Sequence, residues 1–121
     1  MGKINFTIFS DFADRAWMLS EIGDWVEARK YFRKAIDSIN EEIPPTPKLK
    51  SLKYSMRGSF KYELDDFEGA LDDHNKAITI CPNYASYYLS RADAKYKLDD
   101  FEGAIDDVNK FLQMDQDRED L

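Results

Sequence analysis

His74 is the only histidine and Cys81 the only cysteine, so imidazole and thiolate chemistry each have one possible residue. A catalytic imidazole needs a partner to take or orient its proton, and a metal site needs several ligands at short spacing. His74 has no second His, no Cys at ligand spacing and no ordered carboxylate–His pair to support a metal site. It falls instead on an apolar helix face, where packing or a half-buried hydrogen bond accounts for it. Cys81 stands just before Pro82 at a helix end, with no base near it except distantly His74, and reads as structural. The pairs Asp65-Asp66, Asp72-Asp73, Asp99-Asp100 and Asp106-Asp107 suggest calcium or acid–base work. An EF-hand loop, however, alternates its oxygen ligands around a central Gly and closes on a Glu. The run Asp65 to Gly69 lacks that order and puts Phe67 where a ligand should be. Helix caps and a solvated outer face explain these carboxylates better. A phosphate-binding Gly loop, a Ser–His–Asp set and a nucleophile elbow are all missing. The expectation is a non-enzyme with no catalytic residue, no cofactor and no metal.

Charge narrows the partners. Seventeen Lys and Arg against 24 Asp and Glu leave a net charge of −7, the wrong sign for neutralising phosphates, so no nucleic acid is expected. There is no polybasic block for anionic lipid and no run approaching 18 apolar residues, so no membrane insertion is expected. The start, Met1 to Phe6, lacks the apolar core of a secretory signal and has Phe6 where a myristoylation motif needs Ser or Thr. A lone Cys is comfortable in a reducing compartment. Cytoplasmic is the expected location.

The elements that carry these residues repeat. Leu64-Asp65-Asp66-Phe67-Glu68-Gly69-Ala70 recurs letter for letter 34 residues later, as Leu98 to Ala104. Residues 51–84 and 85–118 share 15 of 34 positions, including Tyr54/Tyr88, Arg57/Arg91 and Tyr62/Tyr96, far more than chance gives in so short a chain. A fainter copy, about 9–42, turns at Gly23-Asp24-Trp25-Val26-Glu27-Ala28. Eight extra residues separate it from the second copy, and the Pro-rich stretch of about 41–48 holds them. The chain thus reads as one domain of three units, at about 9–42, 51–84 and 85–118.

Each unit reads as two helices with one apolar face each, through Phe67, Ala70, Leu71, Ala77 and Ile78 in one case and Phe12, Ala16 and Leu19 in another. Lys61 and Lys95 intrude on such faces, and long stems could carry their ammonium groups out to water. Ala16, Gly58 and Ala92, facing Ala28, Ala70 and Ala104, let helix backbones approach closely, while Trp25, Phe67 and Phe101 fill space beside the turns. Asp24, Asp66 and Asp100 are natural N-caps of the second helices. The residues before them, Gly23, Asp65 and Asp99, suit a left-handed backbone. Thr46-Pro47 reads as N-cap and first residue of the third helix, and Asn83 as the N-cap of the fifth.

This small–aromatic–small pattern at a period of 34 resembles the tetratricopeptide repeat family, through Tyr54, Gly58, Phe67, Ala70, Ala77 and Pro82 and their counterparts in the other units. The third unit departs from the pattern at Phe111 and Gln116. The resemblance implies an all-α solenoid of three antiparallel helix pairs in a right-handed superhelix, with the first helices lining a concave groove for a protein or peptide. The groove residues it implies include Trp17, Leu52, Ser55, Tyr62, Leu89, Asp93 and Tyr96. Chaperone-binding members hold a terminal carboxylate with Lys, Asn, Asn, Lys and Arg. The matching positions here are Ala13, Trp17, Met56, Ser86 and Ser90, so no carboxylate-clamp chaperone tail is expected. Trp17 could be a partner anchor or could pack against Met18 or the insert.

The open end leaves two readings. Too little chain follows Leu112 to make a full capping helix, so Val108, Phe111, Leu112 and Met114 could join two copies as a homodimer. Alternatively, Phe111 closes the last unit by its own bulk. The favoured function is a scaffold or adaptor that binds a peptide or partner helix in its groove. The alternative is a self-associating structural unit, or a small chaperone for a secreted or membrane-directed client.

Overall fold

The computed structural model describes residues 6–40 and 46–119 as six helices, with no strand among them. In chain order they are α1 (Phe6–Glu21), α2 (Trp25–Asn40), α3 (Pro47–Glu63), α4 (Phe67–Ile80), α5 (Ala85–Lys97) and α6 (Phe101–Glu119). Each helix packs on its chain neighbours, and α3 also touches α5, so the hairpins α1–α2, α3–α4 and α5–α6 form a row. An all-α solenoid of this kind buries its core through nearest-neighbour stacking alone. Residues 41–45, most of the expected insert, lie outside the described residues. Pro47 and Lys48, assigned to the insert by alignment, form the first turn of α3.

Local chemistry sets the breaks between helices. Gly23, Asp65 and Asp99 adopt φ of 87°, 64° and 65°, the left-handed turn that ends each first helix. Such a backbone crowds most side chains, but short polar ones tolerate it. The next residue caps the following helix. Asp66 accepts from the Gly69 amide at 2.9 Å, Asp100 from the Gly103 amide at 3.0 Å, and Asp24 more weakly from the Glu27 amide at 3.3 Å. Thr46 accepts from the Leu49 amide ahead of Pro47, as its sequence suggests.

Asn83 does not cap α5. Pro82 and Asn83 form a turn that delays the helix by one residue, and Tyr84 holds the N-cap position without a side-chain cap. Its place is secured by packing, the Tyr84 and Tyr87 rings lying 4.6 Å apart.

The core has two centres. Ala13, Ala16, Ala28, Phe32, Ala35, Ile39 and Phe60 join the first hairpin to α3, and Ala77, Ile78, Tyr87 and Tyr88 join α4 to α5. Alanines at the crossings bring the backbones close, and Phe32 and Phe60 fill the wider gap at a centroid distance of 6.0 Å. Trp25 and Phe101 fill less than their pattern suggests, each keeping about half its surface exposed.

Two of the acidic residues assigned to a solvated face are buried instead. Asp73 and Asp107 lie inside, while their neighbours Asp72 and Asp106 face solvent. Arg57 Nε and Nη2 donate to Asp73 at 2.8 and 2.6 Å, and Lys61 adds a contact at 3.2 Å. Arg91 donates to Asp107 at the same two distances, joined by Lys95 at 3.0 Å. Lys61 and Lys95 therefore deliver their ammonium groups to a buried carboxylate rather than to water. Each arginine also reaches back to the preceding hairpin, donating to Oδ1 of Asn40 or Asn75. Burial pushes the Asp107 carboxyl up, but the Arg91 and Lys95 hydrogen bonds outweigh it and hold it below the usual carboxylate range. The first hairpin substitutes Tyr31 for the aspartate and Leu19 for the lysine. Arg15 donates to the Tyr31 hydroxyl at 3.3 Å.

Candidate functional site

The first helix of each hairpin presents its residues to a shared hollow. Trp17 from α1, Ser59, Tyr62 and Glu63 from α3, and Ser90 and Asp93 from α5 surround a depression of about 210 Å³, with His74 of α4 also in its lining. Trp17 and Ser59 continue into an adjoining depression of about 330 Å³ that adds Ala13, Asp14, Ser55, Met56 and Phe60. Trp17, Ser55, Tyr62 and Asp93, expected on the groove, are thus brought together.

Trp17 is both packed and exposed. Its ring stands edge-on to buried Phe32 at 4.9 Å and 79°, yet 39% of the residue stays exposed. It is fixed from behind by Phe32 and open in front, while residues 41–45 of the insert, a partner its sequence also allowed, lie outside the described residues. Tyr62 is braced similarly, edge-on to Phe67 at 5.2 Å, and Tyr96 to Phe101 at 5.4 Å. A rigid aromatic gives contact area with little further entropy to lose, as a binding anchor requires.

The other expected residues are spread further. Leu52 and Leu89 are partly exposed on α3 and α5 but line neither hollow. Tyr96 lines a third depression of about 370 Å³ on the α5–α6 hairpin, together with Asp93, Phe101, Ile105 and Val108. Of the four terminal residues, Val108 lines that depression and Leu112 is exposed, whereas Phe111 and Met114 pack against the α4–α5 core centre.

Glu63, Asp14 and His74 were not foreseen on the groove. Glu63 lies four residues beyond Ser59 and directly after Tyr62, so a reading two residues wide per helical turn finds it. The resemblance supplied one residue per turn, which is too narrow a stripe.

The hollow is electrostatically one-sided. Burial raises the Glu63 carboxyl, helped by the nearby Asp65 charge, and burial alone raises that of Asp93. The Tyr62 hydroxyl is pushed up by burial and then by Asp93 and Glu63. Among the described residues neither Glu63 nor Asp93 has a cationic group within 4.0 Å. His74 adds no charge at neutral pH, because burial lowers its pKa to about 4, and its Nδ1 has no hydrogen-bond partner among the described residues. No group of three or more His, Cys, Asp or Glu among the described residues could hold a metal ion, and no described helix is long and apolar enough to cross a membrane.

A row of α-hairpins with capped left-handed turns and a hollow along its first helices defines a helical repeat protein. A TPR repeat model matches residues 58–99, and a tetratricopeptide repeat model matches 85–118. Together they cover residues 58–118, about half of the chain, and the chain belongs to the tetratricopeptide repeat family. Several solved structures share the fold. The first TPR of Spaghetti (RPAP3), bound to the HSP90 peptide SRMEEVD, superposes with a TM-score of 0.60 at 20% identity, covering 92% of this chain and 82% of that one. The TPR2B domain of yeast Sti1 in its Hsp70 complex gives 0.58 at 21%, covering 90% and 81%. MamA of Desulfovibrio magneticus RS-1 gives 0.54 at 13%, covering 90% and 76%. At these identities the likeness is one of fold. No curated protein matches the sequence.

Proposed function

We propose that the chain is a protein-interaction scaffold whose groove, along α1, α3 and α5, binds a segment of another protein. The observation that carries this is Trp17, locked against Phe32 while open to the hollow. Large, pre-ordered aromatics are the residues that dominate protein–protein binding energy. Tyr62, in the same lining, supplies a second braced ring. The family and the peptide-bound relatives of the same fold support this reading.

The occupant differs from the HSP90 peptide held by the Spaghetti domains. Ala13, Trp17, Met56, Ser86 and Ser90 stand at the five clamp positions, and none offers a cation to a terminal carboxylate. The peptide SRMEEVD is therefore expected not to bind measurably. Catalysis has no part in this reading, and the free thiol of Cys81 fits a cytoplasmic setting.

The test is capture of protein partners by the immobilised chain. Trp17→Ala and Tyr62→Ala should each abolish capture without changing helical content. Capture that survives both would transfer the function elsewhere on the molecule.

A second reading rests on the α5–α6 hairpin, where Phe101, Ile105 and Leu112 each expose more than half their surface. A self-associating unit would use this surface. Its mark would be a mass that rises with concentration in sedimentation and is reset to monomer by Ile105→Glu.

A further inference from the structure

We infer that the groove is specific for a basic segment: an extended stretch of a partner protein that seats a Lys or Arg side chain beside Glu63 and Asp93 with an apolar residue against Trp17. This rests on the groove reading above and names its occupant.

Charge complementarity carries the inference. Glu63 and Asp93 enter the same hollow from α3 and α5, and Asp14 lines the part that Trp17 extends. Among the described residues, neither hollow has an arginine or lysine in its lining. Arg57 and Lys61 of α3 are bound to Asp73, and Arg91 and Lys95 of α5 to Asp107, on the inner side of their helices. Glu63 and Tyr62 also line the depression beside the α3–α4 turn together with Arg29 and Lys97, but there Arg29 is held on Asp65 at 3.0 Å and Lys97 lies over the Phe67 ring at 5.8 Å.

Glu63 is half-buried and Asp93 is the more exposed of the two; loss of hydration raises both carboxyls, and among the described residues no counter-ion within 4.0 Å offsets it. A cation arriving with the partner would restore that loss, so the interaction is stronger than at an open surface. Buried His74, neutral and with an Nδ1 unpartnered among the described residues, belongs to the same lining and does not oppose the incoming charge. Flanking aromatics suit the alkyl stem of Lys and the planar face of Arg equally.

Selection from a randomised, phage-displayed peptide library against the immobilised full chain tests the inference. Enriched peptides should share a Lys or Arg next to an apolar residue. The combined Glu63→Gln and Asp93→Asn variant should weaken them at least tenfold, and higher salt should weaken them on the wild type. That variant should melt no lower than the wild type, because it removes two like charges that lack a close counter-ion, so lost binding cannot be assigned to unfolding. Acidic or uncharged peptides that depend on Trp17, or basic ones indifferent to Glu63→Gln and Asp93→Asn, would overturn the basic occupant and leave the groove reading standing. Peptides indifferent to Trp17→Ala, or no enrichment at all, would overturn both. A dimer in solution dispersed by Trp17→Ala would mean that a second copy fills the groove, and would also overturn the inference.

Discussion

Gly58 of α3 packs directly on the His74 ring of α4: a Cβ placed on Gly58 would stand 2.9 Å from His74 Cε1 and 3.0 Å from Nε2. The carbonyl oxygen of Ala70 closes the same space at 3.2 Å. This contact sets how closely the two helices of the second hairpin approach, and it fixes the floor beside the groove.

Gly58→Ala should therefore destabilise the fold by about 1–3 kcal/mol, the usual cost of overpacking, despite alanine's better helix propensity. Urea denaturation measures it. Adding His74→Ala should recover part of the loss in a double-mutant cycle, since the imidazole clash is relieved while the Ala70 oxygen stays. Strict additivity would show that the two residues do not meet.

His74 makes stability depend on pH. Its folded pKa of about 4 lies below its value of about 6.5 in the unfolded chain, so between these limits the unfolded state binds more protons. Stability from this residue is complete above pH 6.5 and declines as pH falls towards 4, by up to about 1.4 kcal/mol per pH unit. Glu63 and Asp93, raised in the fold, act in the opposite sense as they protonate. The difference between wild type and His74→Leu isolates the imidazole. That difference should be steepest between pH 6 and pH 4 in thermal or urea unfolding, and a flat one would place His74 in water.

The buried ion triads predict a ranking. Asp73→Ala leaves Arg57 and Lys61 facing an empty interior, and a broken buried pair of this kind costs about 3–5 kcal/mol. Asp107→Ala should behave similarly, because Asp107 holds Arg91 and Lys95 in the same way. Arg15→Ala, which loses only an exposed contact to Tyr31, should cost clearly less. Equal losses at all three sites in calorimetry would refute the ranking.

The hairpins were legible in the sequence because their determinants are local. A left-handed residue, an aspartate cap and a small residue at each crossing recur at fixed spacing, and each acts within a few residues of itself. The triads were hidden because Asp73 and Asp107 sit beside Asp72 and Asp106, and spacing alone does not say which member of an acidic pair turns inward. The arginine that decides it lies 16 residues away, on the facing helix. The same limit applies to the groove. Trp17 and Tyr62 could be placed on its walls from the repeat, but the charge of the hollow depends on Glu63 and Asp93 approaching from different hairpins. Asn83 failed as a cap because the turn at Pro82 consumed it.

Trp17 fluorescence offers the most direct measurement. In a Trp25→Phe background Trp17 is the only tryptophan, and acrylamide quenching reports how much of its exposed face water can reach. Titration with a peptide selected on the wild-type chain should lower the quenching in step with binding, reaching a plateau at saturation. Saturable binding that leaves the quenching of Trp17 unchanged would contradict the groove account.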